Sequence, residues 1–313
     1  MKRGHTRRRF LSITAAAAVL SGLGAEGAVA QTAFWRGSAL GAAASIRLAG
    51  LSHDGAQPIF RAMERELIRL ENIFNLYRPD SELARLNEQG VLAYPSPELL
   101  EVLSLSARLN RATEGAFDPT VQPLFAASAR AVAENRKPTE DEIAMARSLV
   151  GWDQVRFDQS EVRLEGRGVA LTLNGIAQGY ITDRIAALLK ARGLTDVLVD
   201  FGEVVAVGRG ENDRPWRVGI SDTDGTIQKR ILLTDRAIAT SSPRGTLLDP
   251  AGQLGHIFDP TTGIAATSAS VISVSAPRAD LADGLSTALS LMSGSRRAKA
   301  LDAFPGTSLE FDI

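Results

Sequence analysis

The sequence predicts an α+β fold in which helices pack on a mixed sheet or sheets. Two observations point there. The first half is dominated by helical apolar rhythm, and the second half by short apolar runs bounded by glycine and proline. Strands and helices do not alternate regularly, so a βαβ repeat is not expected.

Taken in order, residues 38–49 read as an opening strand. Pro58 starts a helix with Ile59, Met63, Leu67, Leu70, Ile73 and Phe74 on one face, ending near Tyr77-Arg78-Pro79. Residues 80–87 form a second short helix. Ser96-Pro97 is an N-cap followed by proline at the first helical position, and that helix runs to about Ala112, before Gly115. Thr139 and Glu142 form a capping box that opens a helix stopped by Gly151. Short strands follow at 154–157, 161–164 and 169–173. A helix over 178–192 closes at Gly193. Strands are then expected at 197–200, 204–207, 216–220, 231–233, 237–240 and 271–275. A late helix covers 278–293 and a strand 308–313 closes the chain.

The first thirty residues read as an export signal, leaving one domain over 31–313. Thr6-Arg7-Arg8-Arg9-Phe10-Leu11 is a twin-arginine type motif, an alanine-rich stretch follows, and Ala28-Val29-Ala30 is an A-x-A cleavage signal. The apolar run is shorter than the roughly 20 residues of a spanning helix, so no stable membrane insertion is expected after cleavage. The expected location is the periplasm.

Positions 1–30 hold five of the 35 basic residues and one of the 36 acidic ones, so about −5 remains on 31–313. That balance gives no nucleic-acid surface. Cysteine is absent, which excludes disulfides, thiolate chemistry and Fe–S ligation. Beyond position 30 the histidines are His53 and His256, which excludes a multi-histidine zinc site. Any metal should be a hard cation held by oxygen.

Three segments carry candidate chemistry. Asn174, Gly175, Ala177 and Gly179 crowd a turn directly before a helix, so something must come close to the backbone there. In the late helix, Asp283 and Thr287 are four apart and share a face, with Ser286 beside them. Gly284 inside that helix costs about 1 kcal/mol against alanine, so it calls for a close approach. Asp-Pro-Thr turns occur twice, after Phe117 and after Phe258, the second just past His256. Singly, each segment also fits an ordinary capped helix or tight turn.

Together, and in order, the segments resemble the FAD:protein FMN transferases, the ApbE family. The similar stretches are YRPDSELARLN at 77–87, GAFDPTVQPL at 115–124, NGIAQGYITD at 174–183, AIATS at 237–241, HIFDPTTG at 256–263 and ADGLSTAL at 282–289. Within the family the chain is most similar to NosX-type members associated with the nitrous oxide reductase system.

The resemblance implies a reaction, ligands and partners. FAD is the substrate; its pyrophosphate is split, FMN is joined to a Thr or Ser hydroxyl of a partner flavoprotein, and AMP leaves. The acceptor carries a short Thr/Ser flavinylation motif, is exported or membrane-bound, and is NosR-like by this reading. Mg2+ would be held by the Gly175 carbonyl, Asp283, Ser286 and Thr287. FAD contacts would fall on Leu40, Tyr77, Ala116, Phe117, Asp118, Thr172, Gln178 and Phe258. His256 orients or deprotonates the incoming hydroxyl, or Asp283 does so. Gln178, Glu203 and Ser286 depart from residues frequent in the family. A carrier that holds FAD without turnover, and hydrolysis of FAD by water, are the competing activities.

Overall fold

The structure, a computed structural model, describes residues 31–249 and 251–313; the expected export motif and cleavage signal lie outside the described residues. Strands β1 (Thr32–Ala39) and β2 (Ala42–Ala49) pair as a hairpin turned by Leu40 and Gly41, both at positive φ. The single opening strand expected at 38–49 is therefore a turn and one of two strands. The run of small residues there hides the turn.

Helix α1 (His53–Phe74) begins before Pro58, because the Ser52 hydroxyl caps the Gly55 N–H; Pro58 sits inside it. Of its expected apolar face, Met63, Leu67, Leu70, Ile73 and Phe74 are buried; Ile59 is only partly so, and its neighbour Phe60 is buried instead. Then come α2 (Glu82–Gln89), β3 (Val91–Ala93) and α3 (Pro97–Ala112), the last with the predicted Ser96 cap. Helix α4 (Gln122–Ala133) has no counterpart in the sequence reading; α5 (Glu140–Arg147) has the predicted capping box. Strands β4 (Val155–Phe157) and β5 (Glu161–Leu164) complete a small sheet ordered β3-β5-β4.

Residues 169–173 do not form a strand. Val169, Leu171 and Leu173 are buried as the alternation implies, but no neighbouring strand pairs with them. The Asn87 amide instead takes both main-chain groups of Leu171: it accepts from the N–H at 2.7 Å and donates to the carbonyl at 2.8 Å. The remaining elements are α6 (Ala177–Ala191), β6 (Val197–Asp200), β7 (Val204–Val207), β8 (Trp216–Ser221), β9 (Ile227–Leu233), β10 (Arg236–Ser241) and β11 (Ile272–Ala276). The predicted late helix is α7 (Ala279–Leu289), which ends four residues short of 293; α8 (Gly294–Asp302) lies beyond it and has no counterpart in the sequence reading, and β12 (Ser308–Asp312) ends the chain.

The main sheet has the order β1-β2-β6-β7-β10-β11-β12, antiparallel at every pair. Its pleat sends alternate residues to opposite faces. Val197, Val199, Val205 and Ala237 join α1, α3 and α6 in the main core. Leu198, Val204, Ala206 and Ile238 join Trp216, Val218, Ile220 and Leu233 of the β8–β9 hairpin. The hairpin thus covers one face, and the helices cover the other.

Candidate active site

The crowded turn before α6 is where α6 meets α7. A Cβ on Gly179 would fall on the main chain of Ala279, and one on Gly175 would lie 2.9 Å from Thr287 Oγ1. Glycine is therefore required at 179, where the neighbour is backbone, while at 175 a methyl would have to push the Thr287 side chain aside. The partner that comes close to this turn is the late helix itself. Gly284 also has its predicted reason, but a different partner: a Cβ there would strike Leu109 of α3, so this glycine serves the core.

Neither α6 nor α7 has a side-chain cap of its own. Each borrows one from the other. Asp283 of α7 accepts the Gly179 N–H at 3.1 Å, in the first turn of α6. Asp183 of α6 accepts the Ala279 and Asp280 N–H groups at 2.9 and 3.0 Å, in the first turn of α7. Carboxylates suit helix N-termini, where unpaired N–H groups and the helix dipole favour negative charge. Burial nevertheless dominates their ionisation. Desolvation pushes Asp283 up to about 8, and pushes Asp183, which also faces Asp280, up to about 7.

Hydroxyls complete the cluster. Ser286 Oγ donates to the Asp283 carbonyl at 3.0 Å and lies 2.8 Å from Ser241 Oγ, which is 3.3 Å from Thr287 Oγ1. The structure therefore brings together Gly175, Asp283, Ser286 and Thr287. It adds Ser241 and Asp183, to which sequence reasoning gave no role. Both stand in quoted motifs, yet only the crossing of α6, α7 and β10 reveals what they touch. Among the described residues no three acidic or histidine side chains gather as a metal cluster. A cation here must draw on hydroxyl and carbonyl oxygens besides Asp283. An all-oxygen donor set with one buried carboxylate fits a hard dication.

The predicted FAD contacts are spread over several elements. Gln178 Nε2 donates to the Phe201 carbonyl in the β6–β7 turn. The Thr172 N–H donates to the Pro119 carbonyl at 2.8 Å, which sets Thr172 beside the Asp118 turn. Asp118 accepts the Thr120 N–H and hydroxyl at 2.8 and 2.6 Å, and burial raises its pKa. Phe117 is buried in the main core, and Ala116 packs against it. Leu40 sits in the β1–β2 turn, its N–H bonded to Glu71 Oε1 at 2.8 Å, and Tyr77 is exposed beyond α1. Phe258 is buried in a separate cluster with Leu124, Ala146 and Ala265.

His256 Nδ1 lies 3.1 Å from the Thr246 carbonyl, and the Pro243 carbonyl also bonds to it. Burial lowers its pKa, which keeps the ring neutral near pH 7. Those carbonyls belong to the loop that leaves Ser241, so the ring is tied to the segment bonded to α7.

An antiparallel sheet faced by a reciprocally capped helix pair, with an oxygen-rich cluster at the crossing, defines the class of protein. A family model described as the ApbE family matches residues 40–308. A Vibrio cholerae FAD:protein FMN transferase is 32% identical over 253 residues, covering 76% of this chain and 74% of the relative. One from Treponema pallidum is 30% identical over 294 residues, covering 85% and 79%. The solved flavin transferase ApbE from Vibrio cholerae superposes with a TM-score of 0.76 at 27% identity, covering 88% of this chain and 91% of that one. The chain belongs to the ApbE family, and it is an enzyme of the transferase class.

Proposed function

We propose that the protein transfers FMN from FAD to a Thr or Ser hydroxyl of an acceptor flavoprotein. The observation that carries the reading is the carboxylate–hydroxyl cluster at a glycine-lined helix crossing, in a chain whose relatives are FAD:protein FMN transferases. The acceptor oxygen attacks the FMN-side phosphorus, the bond to the AMP-side oxygen breaks, and AMP leaves. Asp283, Thr287, Ser286 and the Gly175 carbonyl would hold Mg2+, which when bound neutralises diphosphate charge.

Asp283, which a bound cation would keep ionised against the effect of burial, accepts the hydroxyl proton. The His256 ring faces two main-chain carbonyls, so we assign it to holding the 243–246 loop in place. Gln178 fixes the start of α6 against the β6–β7 turn, and the Asp118 turn and Thr172 flank it as part of the FAD-binding wall. The exported location and a membrane-bound, NosR-like acceptor complete the reading.

The test incubates the protein, FAD and Mg2+ with candidate acceptors and follows intact mass. The expected result is an acceptor heavier by one FMN, with AMP released in equal amount. Intact FAD with every acceptor and metal would overturn the proposal. His256→Asn should retain transfer if the ring only positions the loop.

A further inference from the structure

One buried carboxylate, on which the Asp283 charge of α7 acts, has no part in the chemistry above. Glu203 ends the turn between β6 and β7. The alternation along β7 places it on the side of Val205, which joins the helix-faced core, while Val204 and Ala206 face the β8–β9 hairpin. The turn is held firmly. The Phe201 N–H donates to the Glu203 carbonyl at 3.1 Å, and the Gly202 N–H to Asp200 Oδ1 at 3.2 Å. Gln178 clamps the Phe201 carbonyl. Gly202 lies at φ +99°, where a Cβ would run into the Gln178 amide. The backbone therefore fixes where Glu203 points.

The Glu203 side chain is only 8% exposed. The Thr240 N–H donates to its carboxylate, yet Oε2 has no partner. The charged groups acting on it are Asp283 and Asp200, both acidic. A buried carboxylate with a lone oxygen beside two others is costly, through desolvation and like-charge repulsion together. Thr240, its one donor, directly precedes Ser241, whose hydroxyl bonds Ser286 and Thr287. Glu203 is thus anchored one residue along β10 from Ser241, with the Asp283 charge acting on it from α7.

We propose that Glu203 supplies a second carboxylate to the divalent cation assigned to Asp283 and Thr287, facing it through Oε2 from the β6–β7 turn. The inference rests on the cation site of the proposed function. A dication between the two carboxylates gives Oε2 its missing partner and turns their repulsion into joint attraction.

The experiment titrates the FAD-free protein with Mn2+ by calorimetry, for wild type, Glu203→Gln and Asp283→Asn. Melting in EDTA and in excess Mn2+ accompanies it. Glu203→Gln keeps the shape and removes the charge. It should bind Mn2+ at least about 10–100-fold more weakly, since even a group that only supports a metal ligand is worth that range. In EDTA its Tm should match or exceed wild type, and the rise in Tm on adding Mn2+ should shrink. If Asp283→Asn loses Mn2+ binding while Glu203→Gln binds as wild type, the assignment of Glu203 alone is overturned. If Asp283→Asn binds Mn2+ as wild type, the cation site falls and this inference with it. A lower Tm in EDTA with an unchanged Mn2+ response would mark Glu203 as a packing residue and also overturn the inference.

Discussion

The two faces of the seven-stranded sheet are buried in different ways. Against the β8–β9 hairpin, the strands present Leu198, Val204, Ala206 and Ile238 to Trp216, Val218, Ile220 and Leu233, an apolar layer throughout. Toward the helices, the turn before β7 carries a carboxylate at Glu203, with the Asp283 charge acting on it, and β10 carries a hydroxyl at Ser241, bonded to Ser286 and Thr287. Val204 and Glu203 are adjacent in the chain, and a single residue's alternation separates plain packing from chemistry. The hairpin face supplies stability through buried area. The helix face gives some of that up, because buried like charges oppose folding until a counter-ion arrives. Rule-breaking groups of this kind are expected where function sits.

Substitutions on the two faces should therefore separate activity from stability. The largest effect belongs to Asp283→Ala. It removes the carboxylate from the cluster and should lower FMN transfer by about 10³-fold or more, since metal-centred charge stabilisation is worth several kcal/mol and each 1.36 kcal/mol is tenfold. Acceptor labelling followed by mass spectrometry measures it, and retention of a tenth of wild-type rate would refute the role.

Next is Trp216→Ala on the hairpin face. Trp216 is buried, and its indole N–H donates to the Val207 carbonyl at 3.1 Å. Truncation should cost about 3–5 kcal/mol in urea unfolding. The folded variant should still transfer FMN at a near-normal rate. A loss of rate without a loss of stability would break the contrast between the faces.

Smaller is Gly175→Ala. Its new methyl meets Thr287 Oγ1 and must displace it by a few tenths of an ångström. A fall of about tenfold in transfer is expected, with a stability change near 1 kcal/mol. Equal activity to wild type would show that Thr287 tolerates the shift.

The last test is a pH slope, read on stability alone. Asp183 and Asp283 have pKa values raised to about 7 and about 8 in the folded state, above the ordinary carboxylate value, so the native protein holds protons that the unfolded chain has released. Their contribution to metal-free stability should be full below about pH 4 and be lost as pH rises toward 8. Melting in EDTA from pH 4 to 8 checks the sign. Asp183→Asn should flatten the slope up to about pH 7, and Trp216→Ala should leave it unchanged.

Local signals were legible in the sequence and long-range ones were not. The Ser96 and Thr139 caps, the α1 face and the Asp283–Thr287 spacing rest on contacts within a few residues, and all were readable. Helix α4, with its mixture of apolar and small residues, gave no clear period, and the turn at Leu40-Gly41 was masked by alanines. The mutual capping by Asp183 and Asp283 joins residues about a third of the chain apart. No spacing rule reaches that far. The crowded glycines announced a close approach, but only the fold says that the approaching group is a helix.

The pairing of Ser45 with Asp200 joins β2 to β6 across the whole helical first half of the domain. During synthesis the β1–β2 hairpin leaves the ribosome well before β6. At about 5–20 residues per second the wait is roughly ten seconds or more. Through that interval β2 offers an unsatisfied edge to any passing strand. Holding the nascent chain apart from its neighbours is therefore a requirement of this topology, and closure of the β2–β6 seam is the natural late step of its folding.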